Sequence, residues 1–476
     1  MKGLYLPTLA LWAFSNLQCL TAALDSSDWD ALAEVAQSLS QQALDENISF
    51  DVVESLTTEV GPRLAGSEAE ARARDWAVAK LKELGFKNVR VEPFAVPLWE
   101  RGIERAEIVS PFPQHLTITT LGGSVATPLE GVTGDLVRLT SLKALQKKAD
   151  GSLAGKIVFI DEVMTRTQDG SGYGVAVAKR RNAAYEAYRA GALGALIRSV
   201  GTSSHRFAHT GQMKTITEIT DEIDSVPTAA LSAPDADQLT RALERSDKVR
   251  LKLVLTPKME PASTSGNVIA ELPGTEKPEE IILIGAHLDS WDLGTGAIDD
   301  GAGVGIVVAA AKLIKERFPR GLKRSIRIVL FGSEEVGLVG AKAYADAHTD
   351  ELMQHIVAAE SDFGAGKIWR FNTFFAEEKL DYLSAMAEVL KPLGIARGDN
   401  QASSGPDIGA LKAKGVPVVS LQQNGWDYFD LHHTANDTLD KIDPADMAQN
   451  VAAYAAFVYL AAQVDDHFRA DEPEIN

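Results

Sequence analysis

The sequence predicts an α/β protein built on a mixed, mostly parallel sheet flanked by helices, with a smaller domain inserted into it. Three observations carry this expectation. Ile281-Ile282-Leu283-Ile284-Gly285-Ala286 is an unbroken apolar run without polar alternation, as in a strand buried on both faces. Val304 to Ile314 reads as a helix too apolar for a surface position, so it must pack on the sheet. Between them, His287 to Gly303 is dense in His, Asp and Gly, which puts polar chemistry at the carboxyl end of a buried strand, where open α/β sheets place their ligands.

The 476 residues, 45% of them hydrophobic, suffice for a large core. Lys+Arg number 47 against 66 Asp+Glu, a net charge of −19 that argues against nucleic acid or an anionic membrane surface as partner. Residues 1–23 join Lys2, an apolar run from Leu4 to Leu20 and the small pair Ala22-Ala23, ahead of an acidic stretch. They are expected to be a cleaved export signal, which implies a secreted or periplasmic protein. The one cysteine, Cys19, lies inside that segment, so the rest of the chain has neither disulfide nor thiolate chemistry. No later stretch is long and apolar enough to span a membrane.

Taken in order, Asp28 to Leu44 and Phe50 to Val60 carry helical spacing and lead into the loop Gly61-Pro62-Arg63-Leu64-Ala65-Gly66-Ser67. Ser67 and Glu70 form a capping-box pattern before a helix from Ala71 to Leu84, which Gly85 stops. Val89 to Phe94 alternates like a strand. Pro97, Pro111 and Pro113, and later Thr256 to Gly266, mark two boundaries. Between them short strand-like runs (Gly134 to Leu139, Lys156 to Ile160, Ala195 to Ile197, Thr228 to Leu231) alternate with helical Ala183 to Arg189 and Asp235 to Leu243. This predicts an inserted domain over 114–258 that splits the larger one into 24–113 and 259–476. Gly170 to Gly174 lacks a Walker pattern and is expected to be a flexible loop. Strand-like runs return at Asn267 to Leu272, Ile326 to Phe331, Ile356 to Ala359 and Pro417 to Leu421. The last helix opens with Asp443 and Pro444, and its ladder Met447, Val451, Tyr454, Val458, Ala461 predicts one core-facing side.

Four apolar runs are each followed by acidic or imidazole residues: His287 and Asp289 with Asp299, then Glu334 and Glu335, then Asp362, then His432 and His433. In a chain that is 24% charged, one such pair belongs on a solvated face. Four at the ends of successive parallel strands converge on one rim, and together they predict a metal site. Imidazoles and carboxylates without thiolate suit zinc and admit cobalt or manganese. The ligands are too many for one structural zinc. A two-metal site needs a carboxylate bridging ions about 3.5–4 Å apart, with a hydroxide between them as nucleophile. Asp299, on its Gly-rich loop, can reach both ions.

These segments, with Gly61 to Ser67, Glu360-Ser361-Asp362, Phe429 to Thr434 and Asp437-Thr438, resemble the di-zinc aminopeptidase and glutamate carboxypeptidase family over nearly the whole chain after residue 23. The insert resembles a protease-associated domain. The resemblance implies a zinc-exopeptidase fold, two zinc ions per chain and a short peptide as substrate. It implies that His287 and Asp362 hold one zinc and Glu335 and His433 the other, with Asp299 bridging. Glu334 would be the general base, and Asp289 the acceptor that fixes the His287 tautomer. His433 is chosen over His432 because the family's ligand stands directly before Thr or Ser, as His433 does before Thr434; His432 is then a packed or hydrogen-bonded side chain.

Ser204 to Gly211 in the insert resembles a His-Thr-Gly segment of the same family. It is either a polar surface loop holding His205 or a substrate segment in which Arg206 and His209 meet a peptide carboxylate. Asp407, in Ser403-Ser404-Gly405-Pro406-Asp407, is either a pocket wall by resemblance or a turn carboxylate. Two rivals share the fold: a non-catalytic binding protein, which expects lost ligands, and a single-zinc glutaminyl-cyclase-like acyltransferase, which expects no bridging set. A homodimer is left open.

Overall fold

The structure, a computed structural model, describes residues 26–214 and 225–470. The expected export signal lies outside the described residues. In chain order the strands are β1 (Lys87–Glu100), β2 (Glu104–Ser110), β3 (Gln114–Leu116), β4 (Ile118–Thr120), β5 (Val132–Leu139), β6 (Lys156–Ile160), β7 (Gly194–Arg198), β8 (Thr228–Leu231) and β9 (Arg250–Leu255). They continue as β10 (Lys258–Leu272), β11 (Lys277–His287), β12 (Arg324–Phe331), β13 (His355–Glu360), β14 (Ile368–Phe374), β15 (Ala396–Arg397) and β16 (Val418–Gln423).

Two mixed sheets result. The larger has the order β1-β10-β12-β11-β13-β16-β14-β15, and its centre, β12-β11-β13-β16, is parallel. Ile281 to Ala286, read as doubly buried, is buried throughout. The helix Ala302–Arg317 covers one face of it, and the last helix, Pro444–Gln463, packs on that helix and on Ser26–Asp45. The predicted ladder understates this last helix: Met447 through Ala462 are all buried, because small residues such as Ala452 and Ala456 let neighbours close on every side. Its polar Gln449 is satisfied in the core, accepting from the Ile368 N–H (2.9 Å) and donating to the Ile368 carbonyl (2.8 Å).

The second sheet, β3-β2-β9-β5-β6-β7-β8-β4, draws its strands from Glu104 to Leu255. Side chains of β6 alternate: Ile157 and Phe159 join the cluster under the helix Ala233–Arg245, and Val158 and Ile160 join the one under Ser171–Arg189. The chain enters and leaves this unit side by side, where the Ile103 N–H reaches Thr256 Oγ1 (2.8 Å) and the Thr256 N–H reaches the Ile103 carbonyl (3.0 Å). No described helix is long and apolar enough to cross a membrane.

Two local expectations are corrected. Ser67 caps its helix by accepting the Glu70 N–H (3.1 Å), but Glu70 does not return the bond; its buried carboxylate pairs with Arg74 and accepts from Ser265 Oγ (3.0 Å). Gly170 to Gly174 is not a loop. Gly170 sits at φ +75° and starts the helix Ser171–Arg189, and Gly172 is needed because a Cβ there would meet the Thr165 carbonyl oxygen at 1.9 Å.

Candidate active site

The parallel strands end on one rim. β11 ends at His287, β12 just before Glu334 and Glu335, and β13 just before Asp362. After β16 a short helix, Tyr428–Leu431, delivers His432 and His433. Asp299 lies in the turn Ala297–Gly301 that opens the helix Ala302–Arg317. That turn is tied down by two buried residues. Arg63 donates Nε to the Leu288 carbonyl (2.5 Å), Nη1 to that of Thr295 (2.7 Å) and Nη2 to that of Gly296 (2.9 Å). Asp437 accepts the N–H groups of Ile298 (2.6 Å) and Asp299 (3.2 Å). The sequence motifs contain both residues but do not show what they hold.

Asp299 stands between two imidazoles, with Oδ1 3.1 Å from His287 Nε2 and Oδ2 3.3 Å from His433 Nε2. Asp362 Oδ1 lies 3.6 Å from His287 Nε2, and Glu335 Oε2 lies 2.9 Å from His433 Nε2. His432 is stacked on His433 with ring centroids 3.5 Å apart, and its Nε2 is 3.7 Å from Asp299 Oδ2. His433 thus meets two carboxylates where His432 meets one. Asp300 also lies in a potential cation cluster with His287 and Asp362, but its carboxylate already accepts the His287 N–H (3.1 Å) and the Gly303 N–H (3.0 Å).

Burial lowers the pKa of His433 well below its usual value, with His432 and Arg180 adding to it, so the ring is neutral. Its Nδ1 faces the Thr210 carbonyl (3.3 Å), which leaves an Nε2 lone pair against Glu335. Two acceptors at that distance need a shared proton or a cation between them. Asp299 Oδ2 and Glu335 Oε1 have no hydrogen-bond partner although buried. The residues therefore fit bound metal cations: carboxylates, a neutral imidazole, and open acceptor atoms turned inward. Glu334 lines the same cavity of about 420 Å³, its pKa raised well above the usual range by burial, with Asp362 and Asp289 adding.

Four expectations about individual residues change. His287 Nδ1 donates to the backbone carbonyl of Asp289 (2.9 Å), and the Asp289 carboxylate is 3.8 Å away. That carboxylate instead accepts the N–H groups of Glu334 (3.0 Å) and Glu335 (3.3 Å) and so shapes the turn that presents them. Arg206 forks onto Asp235 at 2.9 and 3.0 Å and does not line the cavity. His209 is buried, its Nδ1 held by the His432 carbonyl (2.8 Å), and burial lowers its pKa to about 4, so it brings no positive charge. Asp407 lies behind the wall that Gly405 and Pro406 form, its N–H on Glu360 Oε1 (3.3 Å).

The second unit reaches the rim by other residues. Arg166 pairs with Asp430 at 2.6 and 2.8 Å, and Thr202 Oγ1 donates to the same carboxylate (2.8 Å). The Thr210 N–H donates to the His433 carbonyl (3.0 Å), where His433 has φ +62°. Tyr173 and Arg180, on the helix Ser171–Arg189, line the cavity itself. Sequence reading missed both, because it took the start of that helix for a loop.

Strand ends and their loops gather imidazoles and carboxylates around one cavity in a set that fits a metal site, and the comparisons make it that of a metallopeptidase. Residues 267–458 match peptidase family M28. Carboxypeptidase Q of Bos taurus is 34% identical over 88% of this chain and 86% of its own. A crystal structure of a peptidase M28 precursor from Shewanella amazonensis is 50% identical, covers 94% of this chain and all of its own, and superposes with a TM-score of 0.90. BSAP, a zinc aminopeptidase of Bacillus subtilis, shares the fold at 20% identity over 87% of this chain and 94% of its own, with a TM-score of 0.61. The chain belongs to peptidase family M28. Within that family it is similar to carboxypeptidase Q along most of its length.

Proposed function

We propose that the protein is a secreted di-zinc exopeptidase that hydrolyses dipeptides or other short peptides. The placement of Asp299 between His287 and His433 is the observation that carries this reading, because a single-ion site has no use for a carboxylate turned both ways. His287 and Asp362 would hold one zinc, Glu335 and His433 the other, with Asp299 shared. When bound, the ions supply a polarised scissile carbonyl and a water of lowered pKa. Glu334, facing the cavity from a turn fixed by Asp289, would take a proton from the attacking water and pass it to the leaving amine. The non-catalytic reading expects a missing ligand or base, and none is missing here.

The second unit, read as a protease-associated domain, stands over the rim and narrows it, which favours short chains with free ends. A panel of dipeptides and longer peptides, each with free or blocked termini, tests this. Dipeptides with both ends free should be cleaved best, and kcat/KM should fall when either end is blocked. Efficient cleavage inside a long peptide blocked at both ends would remove the exopeptidase reading. Export is tested separately: mass spectrometry of the native protein should find an N-terminus near Leu24, and an intact Met1 on soluble intracellular protein would sink that part.

A further inference from the structure

Arg63 stands 232 positions before Thr295 in the chain, yet it is wholly buried against the loop that joins His287 to Asp299. It holds both legs of that loop. On the first leg Nε donates to the Leu288 carbonyl (2.5 Å). The backbone of Arg63 also exchanges two bonds with Ser290, its N–H to Oγ and its carbonyl to the Ser290 N–H, each at 3.2 Å. On the second leg Nη1 donates to the Thr295 carbonyl (2.7 Å) and Nη2 to that of Gly296 (2.9 Å).

Arginines this deeply buried usually sit on a carboxylate. Among the described residues Arg63 forms no ion pair, and the carboxylates of Asp437, Asp289, Asp300 and Asp299 act on it through space. The guanidinium is therefore directed at backbone geometry: one rigid plane carries three nitrogens that fix three oxygens on two legs of chain. A lysine has the charge but a single nitrogen, and cannot span them.

The loop needs such a brace. It contains Gly294 and Gly296, and glycine backbone loses more freedom on ordering than any other. Gly296 has φ +60°, and a Cβ there would meet Ser290 Cβ at 2.4 Å and Arg63 Nη1 at 2.8 Å, so the guanidinium passes where no side chain could stand. Asp437 works on the complementary groups, taking the N–H of Ile298 (2.6 Å) and of Asp299 (3.2 Å) where Arg63 takes carbonyls. Between them they fix the approach of Asp299 Oδ1 to His287 Nε2, at 3.1 Å. The Arg63 contacts themselves stop at the backbone and at Ser290, short of the ligating side chains.

We propose that Arg63 is a positioning residue for metal binding, which holds the Asp299 loop in its ligating shape before any ion arrives; this rests on the two-metal reading above. Without Arg63 the loop divides its time between ordered and disordered shapes, and only the ordered one sets Asp299 beside His287. The first ion then has to order the loop, so its apparent affinity falls in proportion to the fraction of protein already ordered. The second ion meets a loop that the first has fixed, and its affinity is kept. Removing Arg63 therefore weakens one step of two, and loading turns cooperative although no ligand has been lost. This differs from Glu335→Gln, which takes a ligand from one ion directly.

The test is a zinc titration of the full chain, stripped of metal, in competition with a chelating dye, with wild type beside Arg63→Lys and Arg63→Met. In both variants the first-step affinity should fall about 10–100-fold, the scale for losing an outer partner of a metal ligand. The second step should change far less, so that the ratio of second to first constant rises by nearly the same factor. Arg63→Lys should behave like Arg63→Met, because the fork and not the charge spans the loop. Thermal unfolding of the same proteins without metal reads any general structural role. A lowered melting point with zinc constants as in wild type would overturn the assignment. So would equal losses in both steps, a wild-type titration from Arg63→Lys, or failure of both variants to fold in excess zinc. If the wild type takes up one ion only, the two-metal reading fails instead; a fall in that single constant in both variants then still supports the brace, and an unchanged one removes it.

Discussion

Glu334→Gln is expected to keep the fold and both metals while lowering kcat by about 10²–10⁴-fold, the usual scale for losing a general base. The reason lies in the turn after β12. Asp289 accepts two successive N–H groups there, those of Glu334 and Glu335, with Oδ1 and Oδ2 respectively. The two side chains consequently part: Glu335 turns to His433 at 2.9 Å, and Glu334 faces the cavity. Glutamine fills the same space but cannot take a proton from water. Glu335→Gln is expected to weaken one metal instead, because it removes a ligand charge beside His433. Kinetics on protein of known metal content separates the two. A Glu334→Gln enzyme that loses metal, yet regains full rate when metal is resupplied, would show the roles to be reversed.

Chelation is expected to abolish peptidase activity, and zinc or cobalt to restore it. The cavity brings Asp299, Glu334, Glu335 and Asp362 together, and among the described residues that line it only Arg180 and the imidazoles can offset their charge. Burial raises the pKa of Glu335 well above the usual range, with Asp299 and Glu334 adding to it, so an empty site tends to fill with protons rather than act on a substrate. Elemental analysis of fully active enzyme should find two metals per chain. One tightly bound metal at full activity would favour the acyltransferase rival.

The metal-site candidates were legible because each follows an apolar run, and parallel strands bring their ends together whatever the length of the connections between them. His287, Asp299, Glu335, Asp362 and His433 meet for that reason. The same logic says nothing about residues supplied from elsewhere. Tyr173 and Arg180 were hidden behind three glycines in five residues, a poor helix start by intrinsic propensity, made helical by the contacts of its aromatic and small side chains. Arg206 looked available because its partner, Asp235, is twenty-nine positions away. Asp289 was credited with a bond that its own backbone makes, and spacing along a strand end cannot tell a side-chain oxygen from a carbonyl. The His-Thr-Gly segment does belong to the site, but through the backbone of Thr210, the missing side chain of Gly211 and the His209 bond to the His432 carbonyl rather than through a charged imidazole.

At its neck the second unit looks like a cassette, since among the described residues the chain crosses in and out side by side at Ile103 and Thr256. On the opposite side it is stitched to the loop that presents His433, through Arg166 and Thr202 on Asp430, Gln168 on the Gly425 N–H (2.9 Å) and Thr210 on His433 itself. A graft of residues 104–255 from a relative would therefore close correctly at the neck and still arrive without the right fasteners. Chimeras that exchange this unit together with 424–437 should keep a working rim, whereas exchange of either piece alone leaves a charged Asp430 or Arg166 facing a stranger. Recombination with a family member is then expected to leave the rim intact only when the loop and the unit above it are exchanged together.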